Sequence, residues 1–308
     1  MKSIGVRLAT LVGFSSGADA MARVERPIAP LAPAGASANP EVVRTMPVLI
    51  DAEALRSSAI GRELIEVPLP AGGSIEARFT SFETRGAGGF IATALGADGT
   101  AIHLSVRGDA IAGSVFTPGG VTVQIRTGPG GTHEAREMDH TQIAPCGTGD
   151  GEDLDFPRTP RPITCCDHAS AHAASSRGGG ACVEDGAFVD LLVCYTNAAA
   201  AAEGGTPNML ALIDLALLET NQSLANSNVA LTIRLAAALE VPKTWSTTSS
   251  ATILDHMSNT TSGTLDEIHA LRDQHNADLV TLFVASLDVC GRAYLAVAPG
   301  PTPLPELG

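Results

Sequence analysis

The chain has 308 residues, enough for two modest domains, and 44% of them are hydrophobic, which allows real cores. Aromatics make up only 4%, so those cores must be built from Ala, Val, Leu and Ile. A net charge of −14 argues against nucleic acid or an anionic membrane as partner, because phosphate binding needs concentrated Lys and Arg, and no stretch has the length and apolarity of a membrane helix.

The start reads as an export signal over residues 1–20. Lys2 and Arg7 are a positive head, Leu8–Phe14 is a short apolar core, and Ala18-Asp19-Ala20 has the small-x-small form of a cleavage site. A structureless N-terminus is the other reading. Residues 21–45 are rich in Pro, Ala and Gly and read as a flexible leader.

Over residues 46–146 the pattern turns to period two. Ile75/Ala77/Phe79, Ile102/Leu104/Val106 and Val121/Val123/Ile125 alternate with polar residues. Gly72-Gly73, Asp98-Gly99 and Pro118-Gly119-Gly120 break the runs. Short, regularly spaced strands with Gly-rich turns predict an antiparallel meander or small sandwich. Residues 147–186 are a linker by composition, with an acidic run at Asp150–Asp155, then Pro157, Pro160 and Pro162, then Gly178-Gly179-Gly180. An exposed linker is where a protease would act.

Residues 187–308 predict a β-α-β-α-β run. Phe188–Thr196 is apolar without alternation, which suits a strand covered on both faces. A helix starts at Thr206 as N-cap with Pro207 at its first position. Leu210, Ile213, Leu217 and Leu224 recur at helical spacing, and Met209, Leu212 and Ala216 widen the stripe. Val229, Leu231, Ile233, Leu235, Ala237 and Leu239 alternate as a half-buried strand. A Ser/Thr-rich loop spans Thr244 to Thr252. Thr264 and Glu267 make a capping box for a helix reaching Asn276, and Leu279–Ala285 is a third strand. Asp190, Asp214, Glu219 and Asp278 read as caps and solvated surface, while Asn221 and Gln222 are placed to bond across to a neighbouring loop. Cys194 reads as an inert core thiol.

The ordered set Asp190–Thr196, Glu219-Thr220-Asn221-Gln222, Leu271-Arg272-Asp273, Ala277–Val280 and Cys290-Gly291-Arg292-Ala293-Tyr294-Leu295 resembles the N-terminal part of a bacterial reprolysin-like zinc metalloendopeptidase of the metzincin clan. The resemblance covers the last third of the chain. It implies an α+β protein: a β-rich, propeptide-like N-terminal domain and then an incomplete metzincin-like α/β domain. It also implies zinc as the family cofactor, protein or peptide substrates, and a secreted or periplasmic location.

Metzincins hold zinc with H-E-x-x-H-x-x-G-x-x-H. No such motif occurs here. In His133-Glu134 the position four after His133 is Glu137. In the family the zinc helix lies beyond the proline-rich Ala298–Pro305, so the resemblance implies a precursor truncated or frameshifted before its active site. No catalytic residue and no zinc ligand is assigned in this chain, and no peptidase activity is expected of it. With the active-site helix missing, one face of the Phe188–Thr196 sheet is expected to be bare.

Two cysteine groups remain. The resemblance makes Cys146 a possible cysteine switch, a thiolate filling the zinc's open position; a disulfide or an incidental thiol is the alternative. Cys165, Cys166, His168 and His172 combine sulfur and imidazole in a way that suits a metal. Adjacent cysteines in a Gly/Pro-rich segment are poorly framed for tetrahedral ligation, and disulfides among Cys146, Cys165, Cys166 and Cys182 are the competing reading. The family would pair Cys290 with a cysteine further on. Against the peptidase stand two alternatives: a non-catalytic secreted binding or inhibitory module, and a degenerate fragment.

Overall fold

The computed structural model describes residues 27–86, 88–128, 132–143, 188–243 and 249–293. The export signal of residues 1–20 and the linker of residues 147–186 lie outside the described residues.

Ten strands make the first sheet: β1 Ile28–Pro30, β2 Gly35–Ala36, β3 Val42–Ile50, β4 Leu64–Pro68, β5 Ser74–Arg85, β6 Gly89–Leu95, β7 Ala101–Arg107, β8 Ala110–Phe116, β9 Thr122–Thr127 and β10 His133–Met138. Their order is β1-β3-β10-β9-β8-β7-β6-β5-β4, with β2 attached to β3. Every pairing is antiparallel. From β4 to β10 each strand pairs with the next in sequence, because the glycine turns leave too little chain to reach further. Gly99 (φ 91°) and Gly108 (φ 60°) sit at two of these turns in the left-handed region. β3 closes the sheet onto β10, and β1 lies beside β4, so the sheet is a nearly closed barrel. Its interior is filled by Ile28, Val48, Ile65, Phe79, Phe90, Ile102, Leu104 and Ile125, each almost fully buried.

Helix α1, Ala52–Gly61, follows β3. Asp51 caps it, its carboxylate accepting from the amides of Glu53 (3.0 Å) and Ala54 (2.9 Å). Leu55 and Ala59, one turn apart, are fully buried in the barrel core.

The second sheet has β11, Phe188–Thr196, in the middle, with β12, Thr232–Val241, and β13, Leu279–Phe283, parallel to it on either side. Between them run α2, Asn197–Ala202; α3, Thr206–Asn226; α4, Ser250–Ser258; and α5, Glu267–Gln274. Both faces of β11 are covered. Val193 and Tyr195 pack with Met209, Ile213 and Leu217 of α3. Leu192 and Cys194 pack with Leu265, Ile268 and Val241. The bare face expected from the sequence is absent at β11: Leu192 and Cys194 are fully buried, because α5 and the turn before it occupy the side opposite α3.

The fold class needs correcting. The molecule is mostly antiparallel β, dominated by the nearly closed sheet, and not an α+β protein with a metzincin-like α/β domain. The barrel draws strands from well before residue 46. Ile28–Pro30 and Gly35–Ala36, in the stretch whose composition reads as a flexible leader, both pair with β3. Among the described residues the parallel strands number only three. The helices between them also differ from expectation. The N-cap of α3 is Gly205, and Thr206 instead reaches Glu240 at 3.4 Å. Thr264 and Glu267 form no capping box, because α5 starts after Asp266, whose carboxylate is engaged by Ser262 (3.0 Å) and by the Gly263 amide (3.0 Å). α4 begins within the Ser/Thr-rich stretch taken for a loop, with Ser249 as its cap.

Candidate functional site

Strand alternation should put His103, Ser105, Ala110, Ala112 and Ser114 on the outside of the barrel, opposite Ile102, Leu104 and Val106. They are nevertheless buried: His103 is 5% exposed and Ser105 is fully enclosed. Helix α3 lies across this outer face of β7 and β8 and touches β6. α3 is therefore covered on two sides. Met209, Ile213 and Leu217 face the parallel sheet, and Ala211 and Leu215 meet Ala110 and Ala112 of the barrel. Small residues on both partners allow the close approach.

Two carboxylates on α3 enter the same contact. Asp214 is 1% exposed, and its Oδ2 accepts from Arg107 Nε at 2.6 Å. Its Oδ1 is buried and has no hydrogen-bond partner among the described residues. Glu219 lies a turn further on. Burial pushes its carboxyl pKa upward, and a hydrogen bond from Ser114 and the charge of Arg126 pull it partly back. His103 Nδ1 stands 4.0 Å from Glu219 Oε1, too far for a hydrogen bond. Burial lowers the His103 pKa, so both members of this pair are pushed toward their neutral forms. Arg126 also has its pKa lowered, first by burial, with Glu203 and Glu219 opposing and Arg136 adding; it donates to the Gly113 carbonyl at 3.2 Å. Beside this contact lies a cleft of about 650 Å³ lined by Arg107, Asp109, Arg136, Gly204, Pro207 and Asn208.

These carboxylates are what sequence reasoning missed. Asp214 is not a cap or a solvated surface group but a buried contact to the barrel, and Glu219 is a half-buried one, its side chain 30% exposed. The available signal was the position of Asp214 between Ile213 and Leu215, inside an apolar helix face. Asp190 and Asp278 do act near the surface. Asp190 holds Arg234 through two bonds (2.8 and 2.7 Å), and Asp278 accepts from the Asp190 amide at 2.7 Å. Asn221 clips α3 to β12, donating to the Ile233 carbonyl (2.9 Å) and accepting from its amide (2.7 Å). Gln222 bonds to Asn226 on its own helix instead.

Among the described residues none is placed to hold a catalytic zinc. His133 and Glu134 are successive on strand β10, which turns them to opposite faces. His133 Nε2 is 3.0 Å from the Asp109 carbonyl oxygen, and Glu134 accepts from Arg136 at 3.1 Å. Among the described residues no group of three or more His, Cys, Asp or Glu side chains is placed to hold a metal ion. Cys146 and the cluster Cys165, Cys166, His168 and His172 lie outside the described residues. Cys194 is fully buried and its thiol is pushed up to about 11 by burial, with Glu267 adding, which leaves it protonated.

No protein-family model matches the chain. Among characterised proteins, the chain is 31% identical over 270 residues to a peptidyl-Asp metalloendopeptidase of Stenotrophomonas maltophilia strain K279a, a match that takes in 83% of this chain and 60% of that protein. It is 39% identical over 107 residues to the protein of the same name in strain R551-3 and 36% identical over 107 residues to that of Xanthomonas campestris pv. campestris. Each of these two matches takes in 35% of this chain and 25% of the relative.

Proposed function

We propose that this chain is part of a secreted or periplasmic zinc metalloendopeptidase precursor of the reprolysin-like kind, acting on proteins or peptides at aspartate. The observation that carries it is the similarity to a peptidyl-Asp metalloendopeptidase over 83% of the chain. A match that long must run through both the barrel and the start of the parallel sheet. In this reading the barrel is the propeptide-like part, and residues 147–186 contain the cut that frees it.

The 308 residues hold no H-E-x-x-H. The groups that would bind zinc and activate water are therefore not among them, and we assign no catalytic step to any residue here. The expected result is no chelator-sensitive cleavage of a quenched, Asp-containing peptide by the purified chain with added zinc; such turnover would overturn the assignment of inactivity. A non-catalytic inhibitory module is the second reading, favoured by the way the barrel seals one face of α3.

A further inference from the structure

We propose that the turn Ser262–Asp266, just before α5, is a strap that opens on its own. Leu265 swings out while both sheets stay folded, and the shielded face of β11 around Cys194 becomes reachable from solvent. This device is independent of the peptidase reading.

The strap rests on one backbone angle. Leu265 has φ 63°, in the left-handed region, where a bulky side chain is sterically strained. Gly263 (φ 73°) takes a similar angle without strain, because it has no Cβ. A strained residue persists only where its surroundings over-determine it, and two things hold this one. The first is burial: the Leu265 side chain is fully enclosed, in the cluster with Leu192, Cys194, Val241 and Ile268. The second is Asp266, whose carboxylate accepts from the Ser262 hydroxyl (3.0 Å) and the Gly263 amide (3.0 Å). The same hydroxyl lies 2.7 Å from the Thr264 carbonyl oxygen and accepts from the Thr264 amide at 3.1 Å. Among the described residues, the hydrogen bonds of the turn run within it or to the Ile268 amide of α5, and none reaches β11. Against the sheet, then, the turn is held by the Leu265 side chain. Opening exposes that side chain, which is unfavourable, but releases the strained angle, which is favourable. The two effects oppose each other, so the strap opens far more readily than the sheet unfolds. β11 itself cannot move aside, because Cys194 is paired with Leu239 of β12 on one side and Leu282 of β13 on the other.

The test is iodoacetamide labelling of Cys194 in the full chain at pH 8, read by peptide mapping across a urea series. Opening of the strap alone exposes little surface. The slow native-state labelling rate should therefore stay flat through low urea and climb only near the unfolding midpoint. Asp266→Ala removes both bonds to the carboxylate and should raise the rate without urea by about tenfold or more, with circular dichroism unchanged. Asp266→Asn keeps an acceptor for the Gly263 amide and should bring the rate most of the way back. A wild-type rate that climbs from the first addition of urea would overturn the proposal, since only global unfolding would then expose the thiol. So would a folded Asp266→Ala variant that labels within about twofold of wild type. If that variant does not fold, the wild-type urea series decides the matter by itself.

Discussion

Replacing Arg107 by Ala asks whether the barrel–helix contact has the energetics of an interior or of a surface. Asp214 has 1% of its side chain exposed and one close partner, at 2.6 Å. Its second oxygen is already without one. Removing the guanidinium leaves a desolvated carboxylate alone, and breaking a buried pair in this way costs about 3–5 kcal/mol. Arg107 is itself 27% exposed, so water can enter from its side. That places the expected loss at the lower end, about 3 kcal/mol. Urea unfolding followed by helical circular dichroism gives the value. Asp214→Ala should cost a comparable amount. The double variant Arg107→Met with Asp214→Leu should recover most of the loss, since two apolar groups of similar size leave no charge stranded. A cost for Arg107→Ala under about 1 kcal/mol, the range of exposed ion pairs, would refute the assignment.

Other substitutions probe the same framework. Glu219 has a raised pKa, so its contribution to stability is full below the ordinary glutamate value and is lost as pH rises through its own. Glu219→Gln should therefore melt higher than wild type at neutral pH, with the gap closing toward acid. His103 has a lowered pKa, so its contribution is present above the ordinary histidine value and is lost as pH falls. His103→Gln should flatten the fall in melting temperature below about pH 6.5. Leu55→Ala should cost about 2–5 kcal/mol by opening a void between α1 and the sheet, measured by chemical denaturation. Cys194, with its thiol pushed up to about 11, should resist iodoacetamide at pH 8 in the native state and label once urea unfolds the chain, as read by peptide mapping.

The legible parts of this fold were those set by local spacing. Ile102/Leu104/Val106 point inward as their alternation requires, and Phe188–Thr196 is a strand whose half from Leu192 onward is covered on both faces, while Phe188 at its start stays exposed. What was illegible depends on partners distant in sequence. Nothing in a Pro/Ala-rich stretch announces that Ile28 will pair with Ile50 and be buried. Ser249 and Ser250 are loop residues by composition, but one hydroxyl capping one amide makes them the start of α4. The carboxylate of Asp214 could not be read as buried without Arg107, which lies 107 positions away. The candidate sites at Cys146 and at Cys165, Cys166, His168 and His172 lie outside the described residues.

The nearest-neighbour pairing of β4 to β10 has a consequence for how the chain is made. Those strands contact others close in sequence, and the barrel shuts once β3 meets β10 and β1 comes beside β4. Short-range contacts form quickly, and domains near the N-terminus fold first during synthesis. The ribosome has therefore delivered everything the barrel requires by Met138, well before Thr206 begins the helix. The face bearing Ala110 and Ala112 is then a finished surface waiting for its helix, and the later parallel strands, whose partners are distant in sequence, assemble around a helix already held in place.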